Sequence, residues 1–135
     1  MPAVRRLAYC PTTASVRLVG YGVAWTTILR AKNEESVRKL VRRLQEVLCV
    51  DLDLGDVERY WKDESQYRCF FRTPLPSLSE EGPTASVLAL AGRVAYAWHV
   101  NGLAPGTPIE GVATERDGIR VSGVTFLSFS LLLPE

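Results

Sequence analysis

The chain has 135 residues, 47% of them apolar and 23% charged, with a formal net charge of +1. That is an ordinary globular balance, and the length suits one domain (1–135) with a core large enough to fold without staples. The small net charge hides an asymmetry that excludes a uniform field: residues 1–50 carry nine Lys/Arg against three Asp/Glu, and residues 51–81 carry four against eight.

Pro2, Pro11 and Thr12-Thr13 predict a loosely ordered segment over 1–14. Arg5 and Arg6 are not followed by a sustained apolar run, so this segment does not read as a signal peptide. "SVRLVGYGVAWTTILRA" is rich in β-branched and aromatic residues and predicts a long strand. Gly20 and Gly22 share one face of it and suggest a bulge or a close backbone approach. "NEESVRKLVRRLQEVLCV" is the clearest helix. Asn33 is a good N-cap, and Glu34 and Glu35 fall in the first turn, where the helix dipole favours negative charge. Val37, Leu40, Val41, Leu44, Val47 and Leu48 form one apolar stripe, with Arg38, Lys39, Arg42, Arg43 and Glu46 away from it.

"DLDLGD" reads as the loop that ends this unit. "VERYWKD" and "YRCFFRT" flank Glu64-Ser65-Gln66 as strand, turn and strand, with Val57, Arg59 and Trp61 on one face. "PLPSLSEEGP" is a loop, and Pro83 suits the first turn of a second helix through "TASVLALAGRVAYAWHV". That helix is apolar nearly all round, which predicts deeper burial than the first. Asn101-Gly102 would end it in a left-handed stop, with Trp98 on the stripe of Val87, Leu90, Ala91 and Val94 and His99 near the cap. The tail reads as strands broken by a turn at Asp117-Gly118. Its apolar stretch "GVTFLSFSLLLP" is well short of the roughly 20 residues of a membrane-spanning helix. The expected class is α+β: a mostly antiparallel single-layer sheet with two helices on one face, ferredoxin-like or related.

His99 is the only histidine. At a helix C-terminus it would bond terminal carbonyls and complement the dipole, a structural role. An enzyme pairing His99 with Cys69 or Cys49 is a third-ranked alternative, because no nucleophile motif surrounds either cysteine. Cys10, Cys49 and Cys69 are far apart, with no CxxC pair or Cys/His cluster, so no zinc site is expected. One disulfide stays open, with reduced thiols in a cytoplasmic protein the favoured reading. Asp51, Asp53 and Asp56 lack the spacing and closing glutamate of a calcium loop. No glycine-rich phosphate loop occurs, and no nucleic-acid motif accompanies the basic helix face.

The remaining candidate is a protein-binding surface. Asp53, Asp56, Glu58, Asp63 and Glu64 surround Tyr60 and Trp61 on the hairpin, with Tyr67 read as a third exposed aromatic, and aromatic residues beside charge are typical of interface anchors. The order of elements is similar to the split β-α-β plan of ferredoxin-like folds. The second half, through "YRCFFRTPL", "AYAWHVNG" and "IEGVA" leading to "GVTFLSFSLL", resembles small immunity proteins of bacterial polymorphic-toxin and contact-inhibition systems. That resemblance covers residues 57 to 133. It implies a small, cytoplasmic, non-catalytic inhibitor of one cognate toxin domain. Many such proteins are strongly acidic, and this chain is not. The sequence is therefore read as a binding protein without cofactor, metal, membrane or nucleic-acid partner. A small-ligand sensor of ferredoxin-like type is the alternative, with Gly20 and Gly22 open to a ligand or a second subunit; a homodimer is compatible with either reading.

Overall fold

The computed structural model describes residues 17–102 and 108–134; the segment 1–14 and Cys10 lie outside the described residues. The chain runs β1 (Arg17–Arg30), α1 (Glu34–Leu48), β2 (Asp53–Arg59), β3 (Gln66–Pro76), α2 (Pro83–Ala91), β4 (His99–Asn101), β5 (Glu110–Thr114), a short 3-10 turn (Glu115–Asp117) and β6 (Val124–Leu132). The strands form one sheet in the order β2-β3-β1-β6-β5-β4, every neighbouring pair antiparallel. Around β1 this is the split β-α-β plan: β3 fills the gap between β1 and β2, and β1 fills the gap between β3 and β6. Strands β4 and β5 are inserted between α2 and β6 and widen the sheet on that side. The α+β class expected from the sequence is the observed one.

The period of two in β1 decides where the core lies. Val23, Trp25, Thr27 and Leu29 are buried, while Ala24, Thr26 and Ile28 on the opposite face are only partly covered. In register with the buried set stand Tyr67, Cys69, Phe71 and Thr73 of β3 and Leu127, Phe129 and Leu131 of β6. Val37, Val41, Leu44 and Leu48 of α1 and Val87, Leu90 and Ala91 of α2 complete the same cluster. Trp25 is its centre, 1% exposed, stacked on Phe71 at 5.7 Å, with its indole N–H donating to the Thr73 hydroxyl at 3.0 Å.

Helix α1 begins as read: the Asn33 side chain accepts from the Ser36 N–H at 2.9 Å. It ends at Cys49 in the left-handed conformation (φ 62), which donates its N–H to Gln45. Cys49 is held in a disulfide, which corrects the expectation of reduced thiols, whereas Cys69 is free and buried. The bulge read at Gly20 is present: the β1–β3 register breaks between Arg17 and Gly22, and Gly20 has φ +80. Gly111 meets a different need, since a Cβ there would run into the Phe129 ring.

Two readings are corrected. "DLDLGD" is not wholly loop, because β2 starts at Asp53 and pairs with Arg72 and Phe71 before a bulge between Leu54 and Val57. The second helix stops at Ala91 instead of running to Val100. Gly92 weakens the helix there, and the β-branched and aromatic residues beyond it find better partners elsewhere. Trp98 folds back edge-on to Phe129 at 5.1 Å and to Trp25 at 6.4 Å, and its indole N–H donates to the Ala91 carbonyl at 2.9 Å. Trp98 is thus a partly buried lid on the core, not a member of the helical stripe. Asn101-Gly102 ends strand β4, not a helix. Arg93 donates to the Leu48 carbonyl at 2.6 Å and ties the end of α1 to the turn after α2.

Trp25→Ala is expected to cost about 3–5 kcal/mol, the scale for emptying a large buried site. Trp98→Phe keeps the ring contact, loses the bond to Ala91 and should cost about 1 kcal/mol. Urea unfolding of the two variants checks that order. Burial pushes the Cys69 thiol up to about 11, so the folded chain at pH 8 should not react there with a thiol reagent. Denaturant alone should expose the Cys69 thiol, and a reductant should then release the Cys49 thiol as well.

Candidate functional site

The sheet positions the hairpin residues differently from one another. β2 is an edge strand, and its seven residues span about 20 Å at roughly 3.3 Å per residue. Asp53 and Asp56 are exposed near its start, whereas Tyr60, Trp61, Asp63 and Glu64 gather at the turn into β3. The seven candidate residues therefore do not form one patch. The structure brings four of them together.

The turn is stitched by its own polar groups. Tyr60 N–H donates to the Gln66 carbonyl at 2.9 Å, and Gln66 N–H donates to the Asp63 carbonyl at 3.0 Å. The Asp63 carboxylate accepts from the Ser65 hydroxyl at 2.6 Å, the Ser65 N–H at 2.9 Å and the Gln66 amide at 2.8 Å. These bonds, the Ser65 hydroxyl first, hold the Asp63 carboxyl below its usual range. Arg59 donates to the Glu64 carbonyl at 2.5 Å and to the Tyr67 hydroxyl at 2.7 Å, with its guanidinium 4.8 Å from the Tyr67 ring centre. Glu58 is paired across the strands with Arg68, whose Nε donates to it at 2.8 Å. Asp63 and Glu58 are thus parts of the scaffold.

What this scaffold presents is aromatic. The Trp61 side chain is 75% exposed, with Tyr60 6.3 Å away and Lys62 Nζ 5.0 Å from its ring centre. Beside the turn lies an open depression of about 520 Å³ lined by Arg30, Ala31, Lys32, Arg59, Glu64 and Ser65. Tyr67, read with Tyr60 and Trp61 as an exposed aromatic, is instead buried in the core at 6% exposure because it faces the helices from β3, and the supporting roles of Arg59 and Ser65 were not singled out in the sequence. Asp63 two residues before Ser65 is the turn signal that marks part of them.

His99 lies on β4, not at a helix terminus, and its side chain is 77% exposed. Its Nε2 is 3.4 Å from Asp117, whose other oxygen accepts from the Thr114 N–H at 2.8 Å and so caps the 3-10 turn. Cys69 is buried on β3, on the far side of β1, β6 and β5 from β4, and Cys49 is disulfide-bonded. The fold brings neither cysteine to His99 in a form fit for nucleophilic attack. Among the described residues no group of three or more His, Cys, Asp or Glu side chains is arranged to hold a metal ion. No described helix is long and apolar enough to cross a membrane. On α1, Arg38, Lys39, Arg42 and Arg43 are exposed and make no ion pair among the described residues.

Three carboxyls are held low in the folded chain: Asp63 by the Ser65 hydroxyl, Asp117 by the Thr114 N–H and Glu115 by its hydrogen bonds from Arg30. A carboxyl depressed on folding contributes stability that is complete above its unfolded pKa and lost as pH falls through the folded one. Stability should therefore drop with acid below about pH 4. Asp63→Asn should flatten that acid limb, as read by denaturant midpoints at successive pH values. Equal pH slopes in both proteins would remove Asp63 from the scaffold.

Compared with known protein families, with curated proteins and with solved structures, the chain matches none of them, so the reading of this surface rests on its geometry.

Proposed function

We propose that this chain is a non-catalytic binding protein that captures a protein partner at the β2–β3 turn, with Trp61 as its anchor. The observation that carries the reading is a largely exposed indole on a turn whose neighbouring polar groups already bond one another. A pre-organised aromatic loses little freedom on binding, and buried Trp side chains are the commonest energetic centres of interfaces. Glu64, exposed beside it, supplies charge for steering. In the narrower form of the proposal the partner is a bacterial toxin domain that the chain neutralises in the cytoplasm, as the resemblance of residues 57 to 133 implies. The disulfide at Cys49 weighs towards an oxidising compartment instead. Trapping the thiols in acid-quenched cells distinguishes the two locations.

The test starts from copurification of the tagged chain from its host. Trp61→Ala combined with Glu64→Lys should weaken the partner by at least about 2 kcal/mol, or roughly thirtyfold. Arg38→Glu with Arg42→Glu and Arg43→Glu should change affinity little. Both variants should keep the far-UV dichroism, since these side chains are exposed. The reverse result would move the interface to α1. Salt-sensitive binding of DNA or RNA, abolished only by the α1 variant, would replace the proposal with a nucleic-acid one. A copurified metabolite without a protein would favour the sensor reading.

A further inference from the structure

Both helices pack on one face of the sheet, and no described element covers the other. The strand registers lay out three rows on that open face. One row reads Asp53, Arg72, Ala24, Ser130, Glu110, Asn101; the next Phe70, Thr26, Ser128, Val112, His99; the third Glu58, Arg68, Ile28, Phe126, Thr114. The middle columns are small or apolar, and Phe70 keeps 36% of its surface exposed.

We infer that two copies of this chain associate face to face through the open side of the sheet, about a twofold axis running along the strands between β1 and β6. Such an axis exchanges the two ends of each row. It sets Phe70 against Val112 of the second copy, Ile28 against its Phe126, Thr26 against its Ser128 and Arg72 against its Glu110. The face is therefore complementary to itself in apolar contact, in hydroxyl pairing and in charge, which is what a twofold interface requires. Among the described residues neither Arg72 nor Glu110 has an ion-pair partner, whereas Arg68 is already paired with Glu58. Small residues along the axis suit the close approach of two aligned sheets, about 10 Å apart. Four strands spaced about 4.8 Å, with β1 and β6 facing over eight positions and β3 and β5 over five, offer roughly 400 Å² of projected area. That is about half of the roughly 800 Å² of accessible surface per partner in a standard interface, the scale of a reversible association. The edges offer no competing route: β4 has three residues, and β2 carries a bulge with Asp53 and Asp56 exposed. This inference is independent of the Trp61 surface, which lies at the end of the β2–β3 hairpin.

Sedimentation of the full chain from about 1 to 200 µM tests it. A monomer–dimer equilibrium is expected. Arg72→Glu and Glu110→Arg should each weaken the dimer at least about tenfold, and the double variant should restore it to within about threefold, because the exchanged charges face each other again. Ser128→Arg, which places a long cation on the axis, should give a folded monomer. Trp61→Ala should leave the dimer unchanged, so failure here and failure of the Trp61 reading are distinguishable. A chain that stays monomeric throughout overturns the inference. So does a dimer that survives Ser128→Arg with native dichroism, or a double variant as weak as the two single changes combined.

Discussion

Trp25 sits where three strands and the chain beyond α2 converge. It belongs to the central strand, stacks on Phe71 of β3, contacts Phe129 of β6 at 5.9 Å and receives the edge of Trp98. Its one polar atom is satisfied by Thr73, so the indole is buried without an unpaired donor. A slip of either β3 or β6 by one residue would turn Phe71 or Phe129 to the open face and leave the ring without its stack. The same ring decides the end of α2. A helix continued through Trp98 would gain backbone bonds but carry that side chain away from the Trp25–Phe129 cleft. The return of Trp98, with its N–H on the Ala91 carbonyl, stabilises the turn and releases residues 99–101 to form β4.

A sheet covered on one side has two different faces to account for. The covered face takes the large residues and the close approach of Gly111 to Phe129. The open face takes Thr, Ser and Ala in its middle, with Ile28, Phe70, Phe126 and Val112 around them. This composition tolerates water better than a core would, yet it retains enough apolar surface to reward burial. At its margins Arg68 is paired with Glu58 of β2, and Arg72, opposite Asp53, lies across the face from Glu110 of β5.

The turn between β2 and β3 works by a different economy of polar groups. Asp63 and Arg59 use their hydrogen-bonding capacity on the turn and Glu58 pairs with Arg68, whereas Asp53, Asp56 and Glu64 stay exposed. What projects is Trp61, supported below by Tyr60 and flanked by Lys62. Fixing the backbone beneath an exposed aromatic lowers the ordering cost of any complex made there. The basic face of α1 presents long side chains without partners among the described residues, and ordering them on binding costs more.

By itself the sequence determined the elements whose patterns are local. Alternation of Val23, Trp25, Thr27 and Leu29 marks β1, and the stripe from Val37 to Leu48 with its Asn33 cap marks α1. Asp117-Gly118 marks the turn before β6, and the order of elements implies the split β-α-β core. These follow from side-chain periodicity and capping, which a few neighbouring residues decide. The end of α2 was legible only as a weak point at Gly92, because residues 92–98 contain no proline and the deciding partner of Trp98 is Trp25, far away in the chain. Nor was the division of the carboxylates: Glu58 became half of an ion pair and Asp63 a turn scaffold only once β3 lay alongside β2. Asp53, read as loop, became strand because Arg72 stood opposite it. Only the tertiary structure decided these points, since packing and cross-strand pairing join residues that local propensity treats as independent.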